Sequence, residues 1–421
     1  MRVLMLGSGA KDHAILWWFS KSNLISGLFI APGNLCTEDI ATNLKGINPA
    51  NPEEVYKACI DNKIDMVFIG TEAPLFTGVV EYLENKNIRV FGAPSKSIKL
   101  EGDRAFSRAF TQRHNIPTPR NSLFGDIDAL ELYLRKHQGE TFIIKSNSVS
   151  PSRVMLISSD TKALVDYATL LLSKAPVLLE EYVPGISVTC TILMDKSGYL
   201  LLPITSDYNK VAKDNTTPTG GMGAICPVPV IESIKDKIIE SIINPTLYGM
   251  KVEQLSYKGI LTFSLIINKE LEPILVDYHI RLNDPATQAM VPIIKSDLVN
   301  ILNAMDEDRV NEIDLETSDS CTVAVVLASK GYPMKIETGK KIKNLTNAFL
   351  MNISGKPMVF CGAINKDMDG TPVTTGGRNI TVVGLGKNLK KAGESAYNLI
   401  KSKNLEGLWY REDIGEKYFE S

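Results

Sequence analysis

Four short apolar runs near the amino terminus each break at once into a glycine-bearing turn, and this repeat constrains the fold more than any other feature. Met1–Leu6 runs into Gly7-Ser8-Gly9-Ala10, and Leu28–Ile30 into Ala31-Pro32-Gly33-Asn34. Met66–Ile69 runs into Gly70-Thr71-Glu72-Ala73-Pro74, and Arg89–Phe91 into Gly92-Ala93-Pro94. Runs that are apolar throughout belong to strands covered on both faces, the habit of parallel sheets wrapped by helices. They predict a doubly wound parallel domain of about 100 residues, with ligands held at the carboxyl ends of its strands. The first turn leads into a helix expected from Asp12 onward, with Ile15, Leu16 and Phe19 on one side. Gly7 and Gly9 alone are weak evidence for a particular nucleotide, because position 12, where the dinucleotide fingerprint has its third glycine, is Asp.

Farther along, Ile260–Ile267 and Ile274–Val276 flank the turn-like Asn268-Lys269-Glu270 and read as a β-hairpin. Its second strand presents Asp277, His279 and Arg281 at alternate positions, hence on one face, with Asp284-Pro285 close behind. Converging charges at the end of a buried hairpin are costly unless they bind each other or a ligand. Upstream, Thr219-Gly220-Gly221-Met222-Gly223-Ala224 places three glycines within four residues, a stretch whose backbone N–H groups are expected to approach an anion.

A net charge of -2 carries no electrostatic footprint for nucleic acid, and no apolar stretch approaches the length of a membrane span. Small-molecule partners, a cytoplasmic location and a monomer or homodimer are the expectation. Cys36, Cys59, Cys190, Cys226, Cys321 and Cys361 are scattered without a CxxC pair, so neither a disulfide framework nor a structural zinc site is expected.

The character changes after Glu101. Asp103–His114 is an amphipathic helix closed by Asn115 and Ile116-Pro117-Thr118-Pro119, where a new domain begins. Thr141–Lys145 is a strand ending in lysine and Val177–Val183 a strand carrying Glu180 and Glu181, charges that suit a triphosphate and a ribose or adenine edge. In the carboxyl-terminal part, Cys321–Leu327 and Ile380–Val383 read as strands and Lys390–Leu399 as a helix. Gly331-Tyr332-Pro333 reads as a structural turn.

The order of motifs, GxGxxxH at Gly7, APGN at Ala31, GTEAPL at Gly70, FGAPSK at Phe91, EEYVPG at Glu180, PTGGMGA at Pro218, DYHIRLNDPATQ at Asp277 and YREDIG at Tyr410, resembles the phosphoribosylamine-glycine ligase family of the ATP-grasp superfamily along the whole chain. The resemblance implies an α/β fold: an amino-terminal doubly wound domain (1–102), central ATP-grasp parts (103–190 and 191–325) and a small carboxyl-terminal α+β domain (326–421). It also implies ATP with Mg2+ or Mn2+, and phosphoribosylamine and glycine as substrates. Gly7, Gly9, His13, Gly70, Glu72 and Pro74 then correspond to the phosphoribosylamine pocket, with Gly220 and Met222 also against substrate. Lys145, Arg153, Glu180, Glu181 and Val183 correspond to the nucleotide site, Arg281, Asp284 and Gly221 to the catalytic centre, and Asp277 with His279 to the metal pair.

The departures matter as much. The family's glycine-rich ATP lid is here Lys145–Met155 without one glycine, and Arg153 stands for its second lysine. Imidazole is a poor magnesium ligand, so His279 predicts a manganese preference. Three functions are therefore compatible with the sequence: the family's ligation of glycine to phosphoribosylamine in purine synthesis, ligation of another amine or acid in a specialised pathway, and a binding or regulatory protein without turnover.

Overall fold

The computed structural model describes every residue except 148–154, 214–216, 343–344, 346–356, 404 and 420–421. Five parallel strands, β1 (Arg2–Gly7), β2 (Gly27–Pro32), β3 (Thr42–Asn43), β4 (Met66–Ile69) and β5 (Arg89–Phe91), stand in the order β3-β2-β1-β4-β5. This is the doubly wound sheet expected from the glycine repeat, with Val3–Leu6 and Met66–Ile69 buried. The first helix, Ala10–Phe19, begins two residues before the expected start. It is buried around most of its circumference rather than on one side, because distant segments cover its outer face. Trp18 Nε1 donates to the carbonyl of Ser296 at 2.9 Å, and the rings of His13 and Trp17 meet Phe360 edge-on.

Asp103 caps the helix Arg104–Arg113 by accepting from the N–H of Phe106. A second, antiparallel sheet follows, made of β6 (Asn121–Phe124), β7 (Phe142–Ser146), β8 (Met155–Ser158) and β9 (Val177–Glu181) in the order β6-β9-β7-β8. The helices Ile127–Lys136 and Thr161–Leu172 pack on it through Leu130, Leu134 and Leu164. Ile143 opposes Glu180 in the β7–β9 ladder, which puts Lys145 on the same face and diagonal to that carboxylate.

The third sheet contains ten strands. β10 (Ile186–Met194), β11 (Tyr199–Leu201), β12 (Thr205–Asp207), β13 (Gly223–Cys226), β14 (Gly259–Ile267), β15 (Pro273–His279) and β16 (Cys321–Ser329) precede β17 (Met358–Cys361) in the chain. The two-stranded pair β18 (Ile364–Lys366) and β19 (Pro372–Thr374) stands apart, before β20 (Arg378–Gly386) and β21 (Leu408–Trp409) rejoin the large sheet. The main path is β15-β14-β10-β12-β13-β16-β20-β17. The hairpin read from the sequence is β14–β15, with a bulge between Ser264 and Leu265. The expected divisions at 190/191 and 325/326 fall inside β10 and β16, since one continuous sheet crosses both. Helix Leu389–Lys403 packs against β20 and β16.

One expectation is overturned. Cys36 and Cys361 form a disulfide across 325 residues of sequence, joining the turn after β2 to the end of β17. Spacing gives no hint of it, because tertiary folding alone brings the two cysteines together. Cys59, Cys190, Cys226 and Cys321 carry free thiols. Among the described residues no helix is long and apolar enough to cross a membrane.

Candidate active site

Where β15 meets the second sheet, four charged side chains share one buried volume. Lys145 Nζ lies 2.7 Å from Glu180 Oε2 and 3.3 Å from Asp277 Oδ2, while Arg108 reaches Glu180 Oε1 at 2.5 Å. Lys145 and Glu180 are each 1% exposed, so these charges depend on one another rather than on water. Burial pushes the Asp277 carboxyl upward, but Lys145, Arg104 and Arg108 outweigh it and hold the group well below the ordinary carboxylate range. Asp277 is thus an anion with a partly exposed edge, and Lys145 faces it across the nucleotide side of the hairpin. Glu180 was expected at a ribose or adenine edge. It is instead held between Arg108 and Lys145, which leaves Glu181, paired with Arg120 at 3.3 Å, and Val183 on the outer side of the strand end.

His279 points into a different group. Its Nδ1 is 3.0 Å from Glu101 Oε1 and its Nε2 is 3.0 Å from Ser264 Oγ, so both ring nitrogens are engaged within the protein. Glu101 also accepts from the N–H of Ile280 at 3.0 Å and lies 3.7 Å from Arg281. Arg281 extends the chain of charges to Glu72 on the amino-terminal domain. Burial alone would lower the Arg281 pKa, yet Glu101 and Glu72 raise it overall. His279, expected as a metal ligand, is hydrogen-bonded through its two ring nitrogens to Glu101 and Ser264. The sequence showed the imidazole but not Glu101, its partner 178 residues away.

Asp284 closes the site from the other side. Arg378, at the start of β20, donates from Nη1 to Asp284 Oδ1 at 2.9 Å and also to the carbonyls of Gly220 and Gly221. The Gly220 N–H donates to Tyr332 Oη at 2.7 Å and the Gly221 N–H to Thr219 Oγ1 at 3.1 Å. These two N–H groups, expected to face an anion, are hydrogen-bonded to protein oxygens. Gly221 has φ +109°, and a Cβ there would lie 2.4 Å from Pro285 Cδ, so glycine serves here for close approach. Met222 is fully buried, with its main chain paired to Tyr208 and Val326, and forms a wall rather than a substrate contact. Tyr332, read from the sequence as part of a structural turn, reaches the loop at the centre.

In the amino-terminal pocket the N–H groups of Ser8 and Gly9 both donate to Asp12 Oδ2, at 2.9 and 2.8 Å. Gly9, placed by the family motif in the phosphoribosylamine pocket, thus has its N–H taken by the carboxyl of the first helical turn. Asp12 Oδ1 lies in the gap between the glycine loops, where a Cβ on Gly70 would stand 2.3 Å from it. Gly7 ends β1, and its carbonyl accepts from the Gly33 N–H. Pro74 sits in the first turn of the short helix Ala73–Phe76. Lys11 Nζ donates to the Gly70 carbonyl, and burial, reinforced by Arg281, lowers its pKa to about 8. His13 accepts at Nδ1 from the Cys361 N–H at 3.1 Å, and burial lowers its pKa to about 4.

Arg281, Asp284, Gly221, Asp277, Lys145 and Glu72 are therefore brought to one region between the three sheets. Arg153 lies outside the described residues. Arg108, Glu101, Tyr332, Arg378 and Asn34 were missed as site residues. Asn34 and Tyr332 lie in stretches the sequence had singled out, the APGN motif and Gly331-Tyr332-Pro333, but neither was read as a site residue.

Comparison with known proteins accounts for this layout. The family model described as phosphoribosylglycinamide synthetase, N domain, matches residues 1–101. The ATP-grasp (A) domain of that family matches 102–287 and its C domain 322–417. The chain is 31% identical over 427 residues to a phosphoribosylamine–glycine ligase of Fusobacterium nucleatum, covering 99% of both chains. It is 31% identical over 432 residues to that of Escherichia coli, covering 100% of this chain and 99% of the relative. The crystal structure of the Thermotoga maritima phosphoribosylamine–glycine ligase superposes with a TM-score of 0.81 at 27% identity, over 98% of this chain and 100% of the other. With three family domains matched in order and relatives matched along nearly all its length, the chain belongs to the phosphoribosylglycinamide synthetase family of ATP-grasp ligases.

Proposed function

We propose that the protein joins glycine to phosphoribosylamine at the expense of ATP, through an acyl phosphate, as a step of purine biosynthesis. The observation that carries this reading is three sets of paired charges, Lys145–Asp277, Glu101–Arg281–Glu72 and Asp284–Arg378, which lie at the strands bearing Lys145 and Glu180, at the amino-terminal pocket and at the glycine loop. A glycine carboxylate oxygen attacks the terminal phosphorus and ADP leaves. The phosphoribosylamine nitrogen then attacks the acyl carbon, phosphate departs and the nitrogen loses a proton. A carboxylate is a poor electrophile until one oxygen becomes a leaving group, and cations around the transferred phosphoryl oppose the charge that develops. Lys145 and Arg281 supply fixed positive charge, and Arg378 holds Asp284 and the Gly220–Gly221 loop in one geometry.

Among the described residues no three His, Cys, Asp or Glu side chains converge as a metal cage. The donor set instead fits a metal that arrives on the nucleotide and meets one carboxylate, Asp277, which the surrounding cations keep ionised. Magnesium on ATP suits that arrangement better than manganese, because the imidazole of His279 is already engaged. A metal held there by Asp277 would offset phosphate charge. Small-molecule substrates, a cytoplasmic location and a monomeric or dimeric state accompany this reading.

The test is phosphate release with ATP, glycine and freshly generated phosphoribosylamine. Release that requires both glycine and the amine supports it. Release with neither, or with another amine in preference, refutes it.

A further inference from the structure

We propose that the Cys36–Cys361 pair is a redox-responsive fastener that sets how firmly the amino-terminal pocket is held, a regulation that rests on the function proposed above. The bridge joins the first domain to the last, with Cα atoms 5.9 Å apart, and its two residues are 1% and 0% exposed. Between them lies Asn34, whose side chain is a junction. Its Oδ1 accepts from the N–H of Cys36 at 2.9 Å and of Thr37 at 3.2 Å. Its Nδ2 donates to the carbonyl of Cys361 at 2.8 Å and of Ser8 at 2.9 Å. One amide thus touches the backbone of both bridged cysteines and the loop after β1. The Cys361 N–H in turn donates to His13 on the helix that starts from that loop. A covalent link at this junction removes the freedom of β17 to lift away from the pocket loops.

The same contacts keep the two cysteines adjacent, which favours closure of the bond once one of them has formed a mixed disulfide with a small-molecule disulfide. Each thiolate displaces in turn, with one mixed disulfide between. The sum is two cysteine thiols plus one small disulfide giving the Cys36–Cys361 bond plus two small thiols. Burial requires the junction to open before a thiol or disulfide can enter, which makes the exchange slow in the resting protein and faster when substrates are absent.

The test uses the full-length protein equilibrated in reduced and oxidised glutathione. Alkylation and non-reducing peptide mapping should give a Cys36–Cys361 cross-linked peptide under oxidising conditions and four alkylated cysteines, Cys59, Cys190, Cys226 and Cys321. Reduction should lower the melting temperature by about 5 °C, because a bridge closing so long a loop restricts the unfolded chain. It should also weaken calorimetric binding of ribose 5-phosphate roughly threefold or more, since loosened loops must be ordered by the ligand. Cys361→Ala and Cys36→Ser should each melt and bind like the reduced protein in both buffers. Six alkylated cysteines in folded, oxidised protein overturn the bridge. Ribose 5-phosphate affinity that is unchanged by reduction, or absent in both states, overturns its link to the pocket. Failure of the ligase reading is seen separately, as absent phosphate release from a protein whose mapping, melting and ribose 5-phosphate binding behave as stated.

Discussion

His13 offers a test of whether the GxGxxxH motif serves substrate or the joint between domains. Its Nδ1 accepts a hydrogen bond from the Cys361 N–H and it is 3% exposed, so the folded protein holds the neutral imidazole. Burial lowers its pKa from 6.5 to about 4. Between these values the unfolded chain binds a proton that the folded chain refuses. Stability from this group is therefore complete above pH 6.5 and is lost as the pH falls towards 4. The gap corresponds to about 3 kcal/mol. His13→Asn keeps an acceptor near the Nδ1 position and cannot titrate. Urea unfolding followed by intrinsic tryptophan fluorescence, from pH 7.5 to 4.5 with the disulfide intact, should show the wild type losing about 2.5 kcal/mol more than the variant. Asp12 and Lys11 titrate in both proteins, so the difference isolates His13. Equal pH slopes would refute the reasoning, and an accompanying large rise in KM for phosphoribosylamine at pH 7.5 would return His13 to the substrate pocket.

Arg378→Ala should lower kcat roughly 100-fold through misplacement of Asp284 and the glycine loop, while leaving ATP affinity within about twofold in calorimetry. An unchanged kcat would make Arg378 a mere surface link. Arg108→Met leaves Glu180 with one cation fewer in a buried site and should cost about 3–5 kcal/mol in chemical denaturation, part of it recovered by adding Glu180→Gln. No recovery in the double variant would show that the two act separately. His279→Asn should leave the magnesium-to-manganese activity ratio unaltered, whereas Asp277→Asn should lower phosphate release roughly 100-fold or more; a ratio that moves with His279 would restore it as a metal ligand.

The strands of the parallel sheet, the β14–β15 hairpin and the order of family motifs were legible from the chain, because apolar periodicity and glycine turns are local signals. Arg281 and Asp284 were also visible as charges where a buried strand ends. Their partners were not. Glu72 lies 209 residues from Arg281, and Arg378 lies 94 from Asp284. Which N–H groups stay open for a ligand was equally hidden: the glycine turns at Gly9 and Gly220 promise free donors, yet Asp12 and Tyr332 take them. The disulfide is the extreme case, since two unremarkable cysteines at 36 and 361 become neighbours only when β17 packs over the first helix. Local sequence dictates backbone shape through sterics and burial pattern. The pairing of charges and thiols is set by which surfaces meet, because electrostatic and covalent partners must lie within a few ångströms in space and are indifferent to their separation along the chain.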